Sequence, residues 1–342
     1  MREVDQKDYE LSMDSWQPIA YCKGGIGEPL TAVGSAGICR YCGCSDARNF
    51  RSVAHTLPEA LGNKWIVSLD ECDDCNRRFS EFDDALAKSV GGVLTVGGTL
   101  GKNNKVRQTG RTAGPSTIKH GRIDGRRQIS MQINGSPFQD HVQFSPGSPI
   151  ITFVTPTGAE RFKPLLAYKA LAKMALAIMP SDELTSHRAL VDWLLAADTV
   201  PTWSAIVGLS FGSVGNAPSL AAAALLRRSA PATPLPNLVF VLSIGSLCFQ
   251  IFIPNEPLPE GMAQASNALP TVRWTNVLGP PGEPQVRIAY GDVAHFEWNG
   301  TALELPVVEA IETRFNVLTR EGEMRPILRR PGSASARHVP GT

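Results

Sequence analysis

Hydrophobic and polar positions alternate with different periods along the chain. Between residues 160 and 200, apolar residues recur at helical spacing and predict two amphipathic helices, one within "AERFKPLLAYKALAKMALAIM" and one in "SDELTSHRALVDWLLAA" with Ser181 as its N-cap. After residue 200, short runs rich in β-branched and aromatic residues predict strands, which are "SAIVGLSF", "NLVFVLSI", "LCFQIFIP" and "PQVRIAYGDVAHFEWN". Residues 148–327 are therefore predicted to fold as an α+β domain of unassigned role.

The pattern before residue 90 is different, because its apolar runs are short and its predicted helix, "NRRFSEFDDALAKS", is highly charged. Phe79, Phe82 and Leu86 fall on one face of that helix and are predicted to be core residues. Residues 1–90 also hold six of the seven cysteines. A domain this small has a thin core and commonly needs a metal or disulfides, so residues 1–90 are predicted to form a small metal-stabilised module.

Two other segments lack a regular apolar period. Residues 91–147 are rich in Gly, Asn, Ser and basic residues, and they are predicted to be a connector. Residues 328–342, "LRRPGSASARHVPGT", are predicted to be a disordered tail.

Composition narrows the class of protein. A chain of 342 residues with 43% hydrophobic content suits two or three globular domains, and its formal net charge of +1 gives no overall attraction to nucleic acid or membranes. The start, "MREVDQKDYE", lacks the apolar segment of a signal peptide, which indicates a cytoplasmic, reducing compartment without disulfides. The longest apolar run, residues 237–254, is interrupted by Ser, Gly and Gln and predicts a buried hairpin, with no membrane span.

Two Cys-x-x-Cys pairs, Cys39 with Cys42 and Cys72 with Cys75, have the spacing of a four-sulfur zinc site. The alternative is that these cysteines are merely buried or abundant, and two such pairs in one reducing-compartment chain argue against it. Cys44 offers another donor, although the knuckle spacing favours Cys42. The remaining cysteines, Cys22 and Cys248, have no paired partner and are interpreted as ordinary small apolar residues.

A zinc ion with four sulfur ligands has no open position for substrate, so the chemistry is predicted to lie elsewhere. His55 lies between the two cysteine pairs, and Asn76 follows the last cysteine at the start of the predicted helix. A neutral imidazole and an amide oxygen, with carboxylates nearby, suit a hard cation and an activated water. The alternatives are that His55 is a satisfied core histidine and that Asn76 only caps the helix.

The segments "CRYCG", "AHTLPEALGNK" and "DECDDCNRRFSE" together resemble the HNH, or ββα-metal, nucleases, and most closely the branch with paired zinc knuckles. The resemblance covers about 50 residues and implies a ββα-metal module. The expected fold is therefore α+β, with a small zinc-stapled HNH module followed by a larger α+β domain.

The resemblance also implies roles for individual residues. The four cysteines would bind structural Zn²⁺, His55 would be the general base that activates water, and Asn76 would ligate a catalytic Mg²⁺ or Mn²⁺. Asn63 would be the central asparagine that holds the histidine ring. In many family members a metal-binding carboxylate precedes the base, whereas this chain has Ala54 there. Glu59 is the first candidate to replace that ligand.

Other carboxylates are reserve candidates for the same metal: Asp70, Asp74 and Asp83. The acidic residues near the second cysteine pair also have a simpler interpretation, as a solvated surface at a helix N-terminus.

The segment from residue 101 to residue 127 concentrates positive charge, and against the single Asp124 it carries Lys102, Lys105, Arg107, Arg111, Lys119, Arg122, Arg126 and Arg127. Such a cluster in a nearly neutral chain suits contact with nucleic-acid phosphates, although a solvated loop is the alternative. Arg77 and Arg78 could also clamp a phosphate.

The expected function is that of a cytoplasmic, metal-dependent HNH-type endonuclease that hydrolyses phosphodiester bonds. DNA is favoured over RNA by family analogy, and restriction-like or antiviral defence is the suggested setting. A homodimer, which would make double-strand cuts convenient, stays open. The alternative function is a catalytically inactive, zinc-stabilised module that binds nucleic acid or another partner, and a third is a redox or zinc-sensing switch that uses Cys44 and Cys22.

Overall fold

The computed structural model describes residues 2–3, 16–110, 116–123, 126–144, 150–156, 160–196, 199–212, 220–229, 237–254, 291, 293–308, 310–320 and 323–327. The strands are β1 (Arg2–Glu3), β2 (Trp16–Gly25), β3 (Thr31–Val33), β4 (Ala54–His55), β5 (Ile66–Ser68), β6 (Ser116–Ile123), β7 (Arg126–Ile133), β8 (Val142–Phe144), β9 (Ile150–Pro156), β10 (Ile206–Phe211), β11 (Leu220–Arg228), β12 (Leu238–Ile244), β13 (Leu247–Ile253), β14 (Ala294–Glu297), β15 (Ala310–Arg320) and β16 (Glu323–Ile327). The α-helices are α1 (Asp73–Ser89), α2 (Gly91–Gly97), α3 (Pro164–Ile178), α4 (Ser181–Thr185) and α5 (Arg188–Leu195).

These strands form four sheets, and the fold is α+β as predicted. The largest is a seven-stranded antiparallel sheet with the order β1-β14-β10-β13-β12-β11-β2. A four-stranded sheet has the order β16-β15-β9-β8, and β6 and β7 form a two-stranded hairpin. The three-stranded sheet β3-β5-β4 precedes α1, which gives the ββα arrangement that holds the cysteine pairs.

Helix α3 is the centre of the core. It contacts α1 on one side and strands β2, β11 and β13 of the large sheet on the other. Every residue of α3 except Leu166 is buried, as expected for a helix that is apolar on all faces. Two lysines, Lys169 and Lys173, are the charged exceptions, and both are almost completely buried. The helix therefore carries two positive charges into the core beside α1.

Strand pairing crosses the predicted boundary at residue 90. Strand β2 pairs along its length with β11, and Cys22 lies opposite Ala223 in that ladder. The hydrophobic core is likewise continuous from Cys22 to Val308. The division into 1–90, 91–147, 148–327 and 328–342 remains a prediction. The first of these segments contributes β2 as an edge strand of the large sheet, and β2 extends the face of that sheet which α3 covers.

The segment predicted to be a connector contains regular structure. Helix α2 follows α1 directly, and the β6–β7 hairpin packs with α2. Thr109 pairs with Ile118, and the Ile118 side chain is completely buried. This segment has few hydrophobic residues and many glycines, and that composition is also typical of a connector. The predicted tail, 328–342, lies outside the described residues.

The predicted second helix of the 160–200 region is interrupted. The structure has two helices there, α4 and α5, which are separated by Ser186 and His187. The ring Nδ1 of His187 lies 3.0 Å from the carbonyl oxygen of Glu183. His187 has φ −114° and ψ 24°, which is outside the helical region. The prediction that Ser181 is the N-cap is wrong, because Pro180 occupies that position and Ser181 is already helical.

The apolar run at 237–254 forms the β12–β13 hairpin, as predicted, and all residues of both strands are buried. The strand predicted in "PQVRIAYGDVAHFEWN" is found only as β14, since residues 284–290 lie outside the described part of the chain. Among the described residues, no helix is long and apolar enough to cross a membrane.

Candidate active site and metal centre

Two short turns bring four cysteines together. Cys39 and Cys42 lie in the loop after β3, while Cys72 is the N-cap of α1 and Cys75 lies in its first turn. Their sulfur atoms all lie within 4.8 Å of one another, and those of Cys42 and Cys72 are 3.6 Å apart. Tetrahedral zinc with bonds of about 2.3 Å has sulfur–sulfur edges of about 3.8 Å, so this cluster is positioned to bind a structural metal such as zinc.

The other cysteines lie outside that cluster. Cys44 accepts a hydrogen bond from Asn49 Nδ2 at 3.5 Å, and its sulfur is not among the four that converge. Burial raises the pKa of Cys22 and of Cys248 to about 12. These two thiols are therefore protonated at neutral pH and act as small apolar residues, which agrees with their interpretation from the sequence.

His55 lies on β4, opposite Val67 of the antiparallel strand β5, and in the sequence it falls between the two cysteine pairs. Its neighbour Ala54 lies opposite Ser68 and is 1% exposed. The Ser68 hydroxyl donates to Asp70 Oδ1 at 3.0 Å. The position where the resemblance expects a metal-binding carboxylate is thus an alanine packed into the core.

The environment of His55 favours its neutral form. The side chain is half-buried, and burial lowers its pKa below the usual value of 6.5. The charge of Glu59 opposes this effect, while Lys64 and Lys173 reinforce it. At pH 7 the imidazole is therefore neutral and able to accept a proton from water.

The backbone of His55 is held by helix α3. Lys173 Nζ donates to the His55 carbonyl oxygen at 2.9 Å and forms an ion pair with Glu71 Oε2 at 2.9 Å. The Lys173 and Glu71 side chains are 1% and 0% exposed, so this pair lies in a low-dielectric interior. Tyr41 adds a hydrogen bond to the Lys173 carbonyl at 3.2 Å. Burial raises the pKa of Glu71, and it raises that of the nearby Asp83 to about 6.

Asn63 closes the loop between β4 and β5. Its amide nitrogen donates to the carbonyl oxygens of Leu57 and Ile66 at 2.7 and 2.8 Å. Its amide oxygen accepts from the backbone N–H groups of Trp65 and Ile66 at 3.1 and 3.0 Å. These four bonds use both donors and both lone pairs of the amide. Asn63 therefore holds the hairpin that carries His55, and it does so through the backbone, whereas the resemblance implied a bond to the ring.

Glu59 begins a short 3-10 turn, Glu59–Leu61, that follows β4. Its Oε1 forms an ion pair with Lys64 Nζ at 2.8 Å, and Lys64 also donates to the Gly101 carbonyl at 2.6 Å. Burial would raise the pKa of Glu59, but the hydrogen bond from Lys64 and the neighbouring positive charges lower it. Glu59 is therefore ionised, with one oxygen engaged by Lys64 and the other available for a cation.

Asn76 lies within the first turn of α1, where its N–H donates to the Cys72 carbonyl at 2.9 Å. The N-cap of α1 is Cys72, so the alternative of Asn76 as the helix cap is wrong. The side-chain amide of Asn76 is half-buried and forms no hydrogen bond with a described residue, which leaves the side-chain oxygen free to act as a ligand.

Two of the three reserve carboxylates are engaged elsewhere, whereas the buried Oδ1 of Asp83 has no hydrogen-bond partner among the described residues. Asp70 accepts from Arg40 Nε at 2.8 Å, and Arg40 also donates to the Met179 carbonyl at 3.1 Å just beyond α3. Asp74 is paired with Arg77 at the surface.

Among the described residues, the four cysteines are the one group of three or more Cys, His, Asp or Glu side chains whose ligand atoms converge. His55 and Glu59 therefore belong to no such converging group of three or more.

The predicted nucleic-acid-binding residues fall into three groups. Lys102, Lys105 and Lys119 are exposed, and they form no ion pair with any described residue. Three arginines are occupied, since Arg77 pairs with Asp74, Arg78 donates to the Leu195 carbonyl at 2.8 Å, and Arg107 pairs with Asp84 and Glu160. The third group is Arg122, Arg126 and Arg127, which lie on β6 and β7, and Arg111, which lies outside the described residues.

Comparison with known proteins bears on the segment that contains this site. A family model described as HNH endonuclease matches residues 39–90. This segment is an HNH endonuclease region. The match includes both cysteine pairs, β4, β5 and α1, and it confirms the resemblance drawn from the sequence. It supports nuclease-type chemistry and nucleic-acid binding in general terms. No curated protein and no solved structure matches the chain.

Two residues that support the HNH region were missed from the sequence. Lys173 lies outside the matched segment, and Arg40 lies between Cys39 and Cys42. A lysine on the buried face of an apolar helix, repeated one turn earlier as Lys169, is the available signal, because such a charge is retained only with a partner. The identity of that partner depends on the packing of α3 against α1.

Proposed function

We propose that the protein is a metal-dependent endonuclease that hydrolyses phosphodiester bonds, with DNA as the favoured substrate and the cytoplasm as its location. The observation that carries the proposal is the HNH endonuclease match at residues 39–90, which encloses a neutral, half-buried His55. His55 acts as the general base that removes a proton from the attacking water. The structural cysteine cluster holds both ends of the segment in which the base lies.

The remaining roles follow the resemblance, position by position. Asn76 and Glu59 bind a catalytic Mg²⁺ or Mn²⁺, which stabilises charge on the phosphate and leaving oxygens. Asn63 keeps the β4–β5 loop closed through its four backbone bonds. The exposed ammonium groups of Lys102, Lys105 and Lys119 contribute phosphate contacts, and the support for this is that these lysines form no ion pair with a described residue. A role in restriction-like or antiviral defence, and assembly as a homodimer, are parts of the proposal that rest on family analogy alone.

The test is cleavage of supercoiled plasmid by zinc-loaded protein with Mg²⁺, with Mn²⁺ and without divalent cation, repeated on single-stranded DNA and on RNA. Metal-dependent nicking supports the proposal, and the preferred substrate assigns DNA or RNA. Absence of cleavage on all substrates contradicts it.

A second function has an observation in its favour. Ala54 is packed in the core where a metal-binding carboxylate is expected, and Glu59 is shared with Lys64. If these two features prevent binding of the catalytic cation, the protein is an inactive, zinc-stabilised module that binds nucleic acid. Titration calorimetry of zinc-loaded protein with Mn²⁺ separates the functions, because the nuclease requires a second metal site that Glu59→Gln weakens, and the binding module has none.

A further inference from the structure

A cleft with a volume of about 850 Å³ lies beside the HNH region. Its walls come from distant parts of the chain: Ile26 after β2, residues 61–65 after the Glu59 turn, residues 97–106 after α2, residues 120–121 of β6, and the β12–β13 turn with the start of β11. Most of these residues lie outside the segment that matches the HNH family. The cleft is therefore a feature of this chain and not of the family module.

The charged side chains that line the cleft are lysines. They are Lys105 and Lys64, of which Lys64 also pairs with Glu59 Oε1 at 2.8 Å, and no Asp or Glu is among the described residues that line the cleft. The whole chain has 33 Lys and Arg against 32 Asp and Glu, so this is a local separation of charge. Lys105 is exposed and forms no ion pair with a described residue. The cleft is therefore complementary to an anion.

Apolar side chains stand next to these cations. Ile26 is 78% exposed and Leu100 is 50% exposed, and both line the cleft together with the half-buried Trp65. Cationic grooves with aromatic and apolar platforms are typical of sites for single-stranded nucleic acid, whose backbone meets the lysines and whose base faces stack on the rings. In a duplex those base faces are stacked inside the helix and cannot make such contacts.

The cleft adjoins the candidate active site. Lys64 lines it and joins Glu59 Oε1 at 2.8 Å to the Gly101 carbonyl at 2.6 Å. Glu59 in turn acts electrostatically on His55. A strand held in the cleft would thus pass one side chain away from the carboxylate proposed to bind the catalytic cation.

We propose that this cleft binds a single-stranded segment of nucleic acid, with phosphates at Lys105 and Lys64 and bases against Trp65 and Leu100, and leads it to His55. The path of the strand toward His55 rests on the proposed function, whereas binding of the strand in the cleft requires no catalysis. It narrows the substrate class from nucleic acid in general to a strand whose bases are unpaired at the site.

The test is fluorescence anisotropy of a labelled single-stranded oligonucleotide, and of its duplex, with the full chain and no added divalent cation. Lys105→Gln removes one phosphate contact and is expected to weaken single-strand binding about fivefold at 0.1 M salt and to reduce the log–log salt slope by about 0.7. Ile26→Glu is expected to weaken binding and Ile26→Lys to tighten it. The matched controls are Arg161→Gln and Leu303→Glu, exposed positions that do not line the cleft.

Weaker binding in the cleft variants, with both controls unchanged, supports the proposal. It is overturned if wild type does not bind the single strand, if cleft and control variants change alike, or if the duplex binds as tightly with the same response to the variants. A cleavage assay on the same proteins separates this proposal from the nuclease function. If Ile26→Glu and Lys105→Gln leave cleavage intact, the role of the cleft is contradicted and the nuclease function stands. If the cleft binds single strands but the protein cleaves no substrate, the nuclease function is contradicted and the cleft proposal stands.

Discussion

Lys173 connects the core of the protein to its candidate base, and replacing it with methionine tests that connection. Met keeps most of the volume of the side chain and removes the ammonium group. In the variant, Glu71 loses the partner at 2.9 Å and the His55 carbonyl loses its donor at 2.9 Å. Since both side chains of the ion pair are almost fully buried, water cannot replace the missing charge.

Breaking a buried ion pair by removing one partner costs about 3–5 kcal/mol in the free energy of unfolding. The double variant Lys173→Met with Glu71→Met removes both charges, and such replacements are often close to neutral. We therefore expect the double variant to be more stable than Lys173→Met by about 2 kcal/mol or more. Lys88→Met is the matched control, because Lys88 pairs with Asp84 on the surface of α1 and such pairs contribute about 1 kcal/mol or less.

Urea denaturation at pH 7.5, followed by tryptophan fluorescence on proteins with equal zinc content, measures these differences. A loss of stability in Lys173→Met no larger than that in Lys88→Met would contradict the importance of the buried pair. So would simple addition of the costs of Lys173→Met and Glu71→Met in the double variant, because that result would mean that the two charges are not coupled.

Three further predictions follow from the site. Cys42→Ser should abolish stable binding of one zinc per chain and Cys44→Ser should not, as measured by metal analysis after dialysis, and equal zinc in both variants would contradict the four-cysteine assignment. His55 should titrate below 6.5 by NMR, and Lys64→Met should raise its pKa, because the positive charge of Lys64 disfavours the imidazolium; an unchanged value would exclude that coupling. The pKa of Asp83 is raised from 3.8 to about 6 in the folded state, so the contribution of Asp83 to stability falls as the pH rises from about 4 to about 6. Asp83→Asn should remove this loss, which is on the order of 2 to 3 kcal/mol, as measured by urea denaturation across this pH range. A stability difference between wild type and Asp83→Asn that does not change with pH would contradict this prediction.

The features that the sequence predicted well depend on local spacing. The two Cys-x-x-Cys pairs each form a knuckle from neighbouring residues, and the helix that follows Cys72 brings Phe79, Phe82 and Leu86 into the core. The β12–β13 hairpin was predictable for the same reason, because its two apolar runs are joined by a short turn. In each case the chemistry and the period of a short segment are sufficient.

The features that were missed depend on contacts between distant segments. The pairing of β2 with β11 joins residues near 20 to residues near 224, and nothing in the composition of either segment identifies the other. The roles of Lys173 and Arg40 depend on the position of α3 beside α1. Asn63 was selected as a candidate by resemblance, but its bonds to the loop backbone could be read only from the structure.

The central claim is that His55 is the general base of a nuclease, and the most direct test is the single-turnover rate of plasmid cleavage with Mg²⁺. The comparison is between wild type, His55→Ala and His141→Ala, a half-buried histidine outside the HNH region, after each protein is shown to be folded and to hold equal zinc. We expect His55→Ala to lower the rate by about 10² to 10⁴ and His141→Ala to leave it unchanged. Cleavage by His55→Ala at the wild-type rate would contradict the role of His55 as the general base.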